Sequence, residues 1–149
     1  MKGYTLIELL IYISITGLLI TLGTSAYRES QNRQAIRQDV ETTLEVLNSA
    51  KKEAVIGKKD CSDNFLGIRI TLNSNSITKQ AVCQSTQGEL REYELSVSTL
   101  SLTQNFIFRP VSGSTDLTPL GLTFTLNSSS GHAATINISQ AGAITHVTP

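Results

Sequence analysis

Residues 3–23 read GYTLIELLIYISITGLLITLG, an apolar run interrupted by a single charge, Glu8. Extended from Tyr4 to Ala26, this run has about the length that a helix needs to cross a bilayer, which is roughly 20 residues. A carboxylate at bilayer depth costs a few kcal/mol, so Glu8 needs either a partner or a role. Only Lys2 precedes the run as a basic residue and no small-residue cleavage motif follows it, which argues against a removed secretory signal peptide.

The helix is predicted to continue beyond the membrane run. Residues 27–56 contain no Pro and no Gly, and apolar side chains recur there every three or four residues, which places them on one helix face. These positions are Ile36, Val40, Leu44, Leu47, Ala50 and Ala54. Gly57, followed by Lys58 and Lys59, is typical of a helix end. Tyr4–Ile56 would then form one helix of roughly 80 Å, at about 1.5 Å per residue, and its amphipathic second half must cover an apolar surface.

The rest of the chain reads as short strands. Segments with alternating or β-branched residues are separated by clusters of Gly, Ser, Asn and Pro, which favour turns. In chain order these segments are 65–72, 77–83, 87–100, 105–110, 120–126, 134–140 and 143–147. The first two and the last two read as hairpins, 87–100 alternates imperfectly, and Leu120 is expected on one face with Leu122, Phe124 and Leu126. The expected fold class is α+β, with an antiparallel sheet packed on the apolar face of the long helix.

The N-terminal run resembles the start of type IV pilins and type II secretion pseudopilins. In that family a membrane prepilin peptidase removes a short basic leader ending in Gly and methylates the new N-terminus. The resemblance implies a cut between Gly3 and Tyr4, N-methylation of Tyr4, and Glu8 as the fifth mature residue, although Tyr4 stands where the family more often has Phe. The chain then divides into a leader, a transmembrane and assembly helix, the amphipathic half of the same helix and a β-rich domain. Their bounds are 1–3, 4–26, 27–57 and 58–149.

The resemblance also implies partners and a location. In the family the glutamate of one subunit meets the N-terminal amine of a neighbour inside an apolar filament core, where opposite charges attract strongly and a lone charge is heavily penalised. Glu8 would therefore act as an assembly charge that sets register. Expected partners are prepilin peptidase, other pilin or pseudopilin subunits, the inner-membrane assembly platform and, before assembly, lipid. The chain would cross the cytoplasmic membrane once, with its domain outside the cytoplasm, and then join a filament.

The C-terminal half is similar to H-type (GspH/FimT-like) minor pseudopilins and minor pilins. The shared pattern is a strand with Phe, a Pro/Gly-rich link, a strand of Leu-Thr-Phe type and a closing "I-x-I-S-x-x-G-x-I" hairpin. Members that bind DNA carry cations around the final Gly turn, whereas here Gly142 is followed by Ala143, Ile144 and Thr145. Ser25 stands where many major pilins have a kinking Pro.

Charge and composition give no support for nucleic acid as a partner. The 149-residue chain carries 12 basic and 12 acidic residues, so counterion release offers little driving force for binding to phosphates. Past Cys61 the only cations are Arg69, Lys79, Arg91 and Arg109, and they do not cluster in sequence. The lysines Lys51, Lys52, Lys58 and Lys59 do cluster near the helix end; a solvated face is the expected role, with contact to headgroups, DNA or a partner subunit as the alternative.

Candidate chemistry is limited to the two cysteines. Because export would place them in an oxidising compartment, Cys61 and Cys83 are expected to form a disulfide, with two buried free thiols as the alternative. His132 and His146 lie in or near turns without other ligands at metal spacing, and no catalytic motif or phosphate loop is present. Carboxylates at Asp63, Glu92 and Asp116 lack the spacing of a calcium loop. No cofactor, metal or catalytic residue is predicted.

Three functions compete at this stage. The first is a minor pilin or pseudopilin that joins, primes or caps a type IV pilus or a type II secretion pseudopilus. The second is a major pilin that forms the bulk of the fibre. The third is a filament-borne subunit that captures DNA or a secreted substrate. An enzyme is not predicted.

Overall fold

The structure is a computed structural model that describes residues 5–57, 61 and 63–147. One long helix is followed by eight strands, which is the α+β fold predicted from the sequence. The elements are α1 (Leu6–Ile56), β1 (Phe65–Leu72), β2 (Ser76–Cys83), β3 (Gln87–Glu94), β4 (Ser98–Leu100), β5 (Gln104–Phe108), β6 (Leu122–Ser128), β7 (Ala133–Ile138) and β8 (Ile144–Val147). Contacts divide the chain into two compact units, with the boundary between Gln34 and Ala35.

The end of the helix follows the sequence prediction. The amide of Gly57 donates to the carbonyl of Glu53 over 3.0 Å, and Gly57 has a φ of 72°. This left-handed conformation ends helices readily at Gly, because a side chain would be strained there. The predicted start at Tyr4 lies outside the described residues.

The strands form two antiparallel sheets of four. The first sheet has the order β3-β2-β1-β5 and the second has the order β4-β6-β7-β8. The β1–β2 and β7–β8 pairs are the two hairpins that the sequence predicts. The division into two sheets was not predicted, because each sheet is completed by a strand distant in sequence: β5 pairs with β1, and β4 pairs with β6.

Two predictions about the strands were wrong. Segment 87–100 is not one strand, because it breaks after Glu94 and its last part, β4, joins the second sheet. Leu120 does not share the buried face of β6; it precedes the strand in a turn where the amide of Gly121 donates to the carbonyl of Thr118, and its side chain is 98% exposed. In both places a turn interrupts the strand although the apolar alternation continues, because alternation reports only on neighbouring residues.

The hydrophobic core lies within the second unit, between the helix and both sheets. Of the six helix positions predicted to share an apolar face, five are buried and Leu44 packs against the core partly buried. The sheets contribute chiefly branched aliphatic residues and three phenylalanines: Ile68, Ile70, Leu72, Ile77, Phe106, Phe108, Leu122, Phe124, Leu126, Ile136 and Ile138. Phe106 and Phe108 meet edge to face, with ring centroids 5.4 Å apart. One face of α1 from residue 36 onward is therefore part of the domain's core.

Candidate assembly site

The first unit begins with a defined helix start. The amides of Glu8 and Leu9 donate to the carbonyl of Thr5 over 3.1 and 3.2 Å, so Thr5 is the residue that caps the helix and Glu8 lies in its first turn. Thr5-Leu6-Ile7-Glu8 has the spacing of a capping box. The carboxylate of Glu8 is also placed where the positive end of the helix dipole favours an anion. This position lowers the cost of a charge in an apolar run.

Apolar side chains cover the helix around and beyond Glu8 and are not buried within this chain. Each of the large apolar side chains described between residues 6 and 20 exposes more than half of its surface. An apolar surface of this length is covered in a folded protein by lipid or by other protein chains. Glu8, Tyr12 and Ile15, which line one shallow groove, are spaced so that they share a face of the helix.

Several hydroxyl groups of this segment are satisfied inside the helix. Ser14 and Thr16 donate to the carbonyls of Leu10 and Tyr12, each over 2.8 Å. Thr21 donates to the carbonyl of Leu18 over 2.8 Å in the same way. These three hydroxyls do not need water, which makes their positions compatible with hydrocarbon. Among the described residues, α1 is the one helix long and apolar enough to cross a membrane by length and composition.

In the second unit a buried carboxylate ties the helix to the break between β3 and β4. Asp39 is only 3% exposed. Its Oδ1 accepts hydrogen bonds from the amide and hydroxyl of Ser96 at 3.0 and 2.8 Å, and its Oδ2 accepts from the amides of Val97 and Ser98 at 3.0 and 2.9 Å. Burial by itself raises the pKa of Asp39, but the hydrogen bonds from Ser96, Val97 and Ser98 outweigh it and hold the pKa below its ordinary value.

A buried lysine makes a second tie between the helix and the first sheet. Lys79 in β2 is 5% exposed. Its Nζ lies 2.9 Å from Oε1 of Glu53 and 3.1 Å from Oγ of Ser49, and 6.0 Å from the ring centroid of Tyr93. Lys79 is thus one of the dispersed cations of the sequence, but it neutralises a helix carboxylate and is not presented to solvent.

The link between the helix and the sheets is tied by a disulfide. Cys61 and Cys83 are joined, with their Cα atoms 5.7 Å apart. Next to them, Asp63 accepts hydrogen bonds from the amide of Ser85 at 2.6 Å and the hydroxyl of Thr86 at 3.4 Å. Burial by itself raises the pKa of Asp63, but the hydrogen bonds, chiefly those from Ser85, together outweigh it and hold the pKa below its ordinary value. Cys61, Asp63 and Cys83 are also close enough together to suggest a metal site, but sulfurs in a disulfide are not the thiolates that bind metals.

Comparison with known families identifies the N-terminus. Residues 1–24 match the family model of the prokaryotic N-terminal methylation motif. This motif indicates a type IV pilin-like precursor. No curated protein and no solved structure matches the chain. The motif suggests a structural subunit, processing by prepilin peptidase and assembly with other pilin subunits, and it fits a single-pass inner-membrane protein that later forms a filament.

The matched motif spans the residues predicted for cleavage, methylation and assembly, Gly3, Tyr4 and Glu8. The predicted cleavage between Gly3 and Tyr4, and the methylation of Tyr4, lie outside the described residues. Glu8 is described, in the first turn of an exposed apolar helix. Its pairing with a neighbouring subunit stays a prediction.

The structure does not gather the remaining candidate residues into one site. Asp116 accepts a hydrogen bond from the amide of Ile107 at 2.7 Å, and Glu92 accepts one from the hydroxyl of Ser76 at 2.6 Å. Of the two histidines, His132 lies before β7 in a turn and His146 is exposed in β8. In the part of the chain that is described, these side chains occupy separate loops and strands.

One residue of the lysine cluster, Lys51, lies beside the closing turn at Gly142. Lys51 is half-buried and Lys52 is exposed, while Lys58 and Lys59 lie outside the described residues. A Cβ atom added to Gly142, which has a φ of 76°, would collide with the carbonyl oxygen of Gly113. The closing turn is therefore packed tightly on the neighbouring loop.

Sequence reasoning missed Asp39 and the burial of Lys79. A signal for Asp39 was present, because Asp39 lies three residues after Ile36 and four before the buried Thr43, and hence on the apolar face. A carboxylate on that face requires hydrogen-bond donors from elsewhere in the fold. The donors at Ser96–Ser98 could not be identified from spacing alone.

Proposed function

We propose that this protein is a structural subunit that assembles into, or primes, a type IV pilus or a type II secretion pseudopilus. The observation that supports the proposal is the methylation motif at residues 1–24 together with an apolar helix whose side chains are exposed in the single chain. Neighbouring subunits would cover this surface in a filament, and lipid would cover it before assembly.

In this proposal, prepilin peptidase cuts between Gly3 and Tyr4 and methylates the amine of Tyr4. The new amine is a cation at the end of an apolar helix, and Glu8 of an adjacent subunit neutralises it. Each charge is costly alone in an apolar filament core and less costly as a pair. A subunit is therefore stable in the filament only where its charges meet those of its neighbours.

Within the family we propose the minor class, most similar to H-type (GspH/FimT-like) subunits, because the C-terminal strand pattern resembles theirs. The alternatives are a major pilin and a DNA-binding subunit. The burial of Lys79 and the uncharged residues after Gly142 weaken the DNA-binding alternative, since phosphate contacts require accessible cations.

Intact-mass measurement tests the processing step. Expressed in a host with prepilin peptidase, the mature chain should lack the three leader residues and carry one added methyl group. Expression in a host strain without the peptidase is the control and should yield the full-length mass. A chain that retains Met1 in the presence of the peptidase would contradict the proposal.

A competition assay tests the role of Glu8. Tagged Glu8→Gln and wild-type chains are co-expressed, and their ratio in sheared filaments is compared with their ratio in membranes. We expect the variant to be depleted about tenfold or more, which corresponds to roughly 1.4 kcal/mol. Glu45→Gln, which neutralises an exposed glutamate further along the same helix, should be incorporated like the wild type. Equal incorporation of both variants would contradict the charge-pairing mechanism.

A further inference from the structure

The two sheets have four edge strands, and three of these edges are covered or short. The edges are β3 and β5 in the first sheet and β4 and β8 in the second. In β5, Oδ1 of Asp116 accepts from the amide of Ile107 at 2.7 Å, and the amide of Asp116 donates to the carbonyl of Ile107 at 3.2 Å. In β4, the amide of Leu100 donates to the carbonyl of Ser74 at 2.7 Å. The described part of β8 has four residues. Covered and short edges are the usual protection against unwanted strand pairing.

The remaining edge strand, β3, has eight residues and an open backbone. Its register with β2 is regular from Leu90 to Glu94, and the amide of Leu95 continues the ladder by donating to the carbonyl of Asn75 over 2.9 Å. Because backbone groups alternate in direction along a strand, those of Leu90, Glu92 and Glu94 point away from β2. Among the described residues, none forms a hydrogen bond with these outward groups. The edge of β3 can therefore accept another strand.

The side chains of the same three residues share one face of β3, and this face is acidic. Leu90 is 57% exposed, and Glu92 and Glu94 are exposed as well. Arg91 lies on the opposite face and pairs with Glu89 at 3.4 Å. In the described part of the chain, no cation pairs with Glu92 or Glu94. The open edge thus presents one aliphatic side chain and two carboxylates without counter-charges.

We propose that β3 binds an extended segment of a different protein as an added antiparallel strand. Backbone hydrogen bonds would form at Leu90, Glu92 and Glu94. Opposite charges and apolar pairs are favourable across neighbouring strands. The bound segment therefore carries cations opposite the two glutamates and an aliphatic residue opposite Leu90. Read from its N-terminus, the segment has a cation, a second cation two residues later and an aliphatic residue two residues after that.

The strands of this chain lack that pattern, which is why the partner is a different protein. Strands β1, β2 and β3 carry one Lys or Arg each, at Arg69, Lys79 and Arg91. The other described strands carry none. A second copy of β3 would bring more glutamates to an acidic edge, where like charges are destabilising. The inference goes beyond filament assembly, and binding by the single chain does not require a filament.

Titration with a designed peptide tests the proposal. The probe is Thr-Lys-Thr-Lys-Thr-Val-Thr with blocked termini and a fluorescent label. Fluorescence anisotropy measures its binding to the full-length chain in non-ionic detergent micelles. We expect saturable binding, weakened about tenfold or more when both lysines are replaced with glutamates. No saturable binding of the lysine peptide up to millimolar concentration would overturn the proposal.

A backbone-methylated peptide distinguishes strand addition from attraction between charges. Methylation of the backbone nitrogens of the two lysines and the valine keeps every side chain and charge but removes the donors that would face β3. We expect this peptide to bind at least tenfold more weakly. Equal binding of the two peptides would show a contact through side chains only and would overturn strand addition.

Two variants of Glu92 make the same distinction from the side of the protein. Glu92→Gln keeps the outward amide and should weaken binding about threefold, as expected for an exposed ion pair. Glu92→Pro also removes the outward amide, a change that edge strands tolerate, and should weaken binding about fivefold more. Glu89→Gln neutralises a carboxylate on the opposite face of β3 and should bind like the wild type.

Denaturant unfolding shows whether each variant is folded, and the methylated peptide decides the question if Glu92→Pro is not. If folded Glu92→Pro binds as well as Glu92→Gln, strand addition at this residue is wrong. Self-association through β3 that competes with the peptide would overturn the choice of a different protein. The filament function has its own tests in the intact-mass and competition experiments, so either proposal can fail while the other stands.

Discussion

At the scale of single residues, Asp39 shows how a buried charge can be stabilised without a cation. Its carboxylate receives four hydrogen bonds from Ser96, Val97 and Ser98. Hydrogen bonds to an ionised acceptor are stronger than those between neutral groups. An asparagine side chain at position 39 would turn an NH2 group, which donates, toward backbone amides that also donate. Those buried amides would then lose their acceptor.

We therefore expect Asp39→Asn to lower the free energy of unfolding by about 2–4 kcal/mol. Denaturant unfolding of the full-length chain in detergent micelles measures this loss. Glu41→Gln neutralises an exposed carboxylate on the same helix and should change the free energy by less than about 0.5 kcal/mol. Similar values for the two variants would contradict the structural role of Asp39.

The lowered pKa of Asp39 predicts how the stability of the protein depends on pH. The pKa of Asp39 is lowered from 3.8 in the folded protein, so the folded state favours the ionised carboxylate. This contribution to stability is present above the unfolded pKa and is lost as the pH falls through the folded pKa. Between pH 5 and pH 2, wild-type stability should fall more steeply than that of Asp39→Asn. If the stability of the wild type and of Asp39→Asn fell equally steeply with pH, the lowered pKa of Asp39 would be contradicted.

At the scale of elements, α1 is held to β2 by the pair formed by Lys79 and Glu53. The two partners differ in burial, since the lysine side chain is 6% exposed and the glutamate side chain is 26% exposed. Removing one partner from an ion pair is costly in proportion to how deeply the other charge is buried. Removing the glutamate should therefore cost more stability than removing the lysine.

Glu53→Gln should lower the free energy of unfolding by about 1–3 kcal/mol, because it leaves the buried ammonium without its counter-charge. Lys79→Met should cost less than about 1 kcal/mol, because the glutamate can reach water and methionine fills the same space. The double variant should be no less stable than Glu53→Gln alone. A larger loss for Lys79→Met than for Glu53→Gln would contradict this order.

The link from α1 to the sheets depends on the bond between Cys61 and Cys83, which are 22 residues apart. Closing a loop of this size is worth about 3 kcal/mol in the chain-entropy model. In exported protein we expect peptide mapping without reductant to recover a linked Cys61–Cys83 peptide. Replacing both cysteines with Ser should lower the free energy of unfolding by a similar amount. Separate peptides that alkylate without reductant would show that the bond does not form in the cell.

At the scale of the whole molecule, the balanced charge predicts weak binding to duplex DNA or none. Counterion release supplies most of the free energy of non-specific DNA binding, and 12 basic residues are matched by 12 acidic ones. Residual binding through the lysine cluster would be steeply salt-dependent. In gel-shift titrations of the full-length chain in detergent, any binding should vanish at physiological salt.

The control for this titration is the variant with Lys58→Ala and Lys59→Ala. If binding is confined to low salt, this variant should lose most of it. Micromolar binding that survives physiological salt would contradict the prediction and favour the DNA-binding function.

The sequence by itself determined the features that depend on neighbours along the chain. The apolar run around Glu8, the helix end at Gly57 and the buried helix face follow from composition and from a period of 3.6 residues. The β1–β2 and β7–β8 hairpins follow from alternation and turn residues. The methylation motif at residues 1–24 is local too, and the assembly role of Glu8 that it implies stays a prediction.

Only the tertiary structure decided what depends on residues far apart in the chain. The break between β3 and β4 lies where Ser96–Ser98 bind Asp39, nearly 60 residues earlier, and no local pattern specifies that pairing. Lys79 is buried because Glu53 and Ser49 of the helix lie above it. Strand periodicity predicts which residues share a face, but the partner that covers the face is chosen by packing and charge compensation across the whole domain.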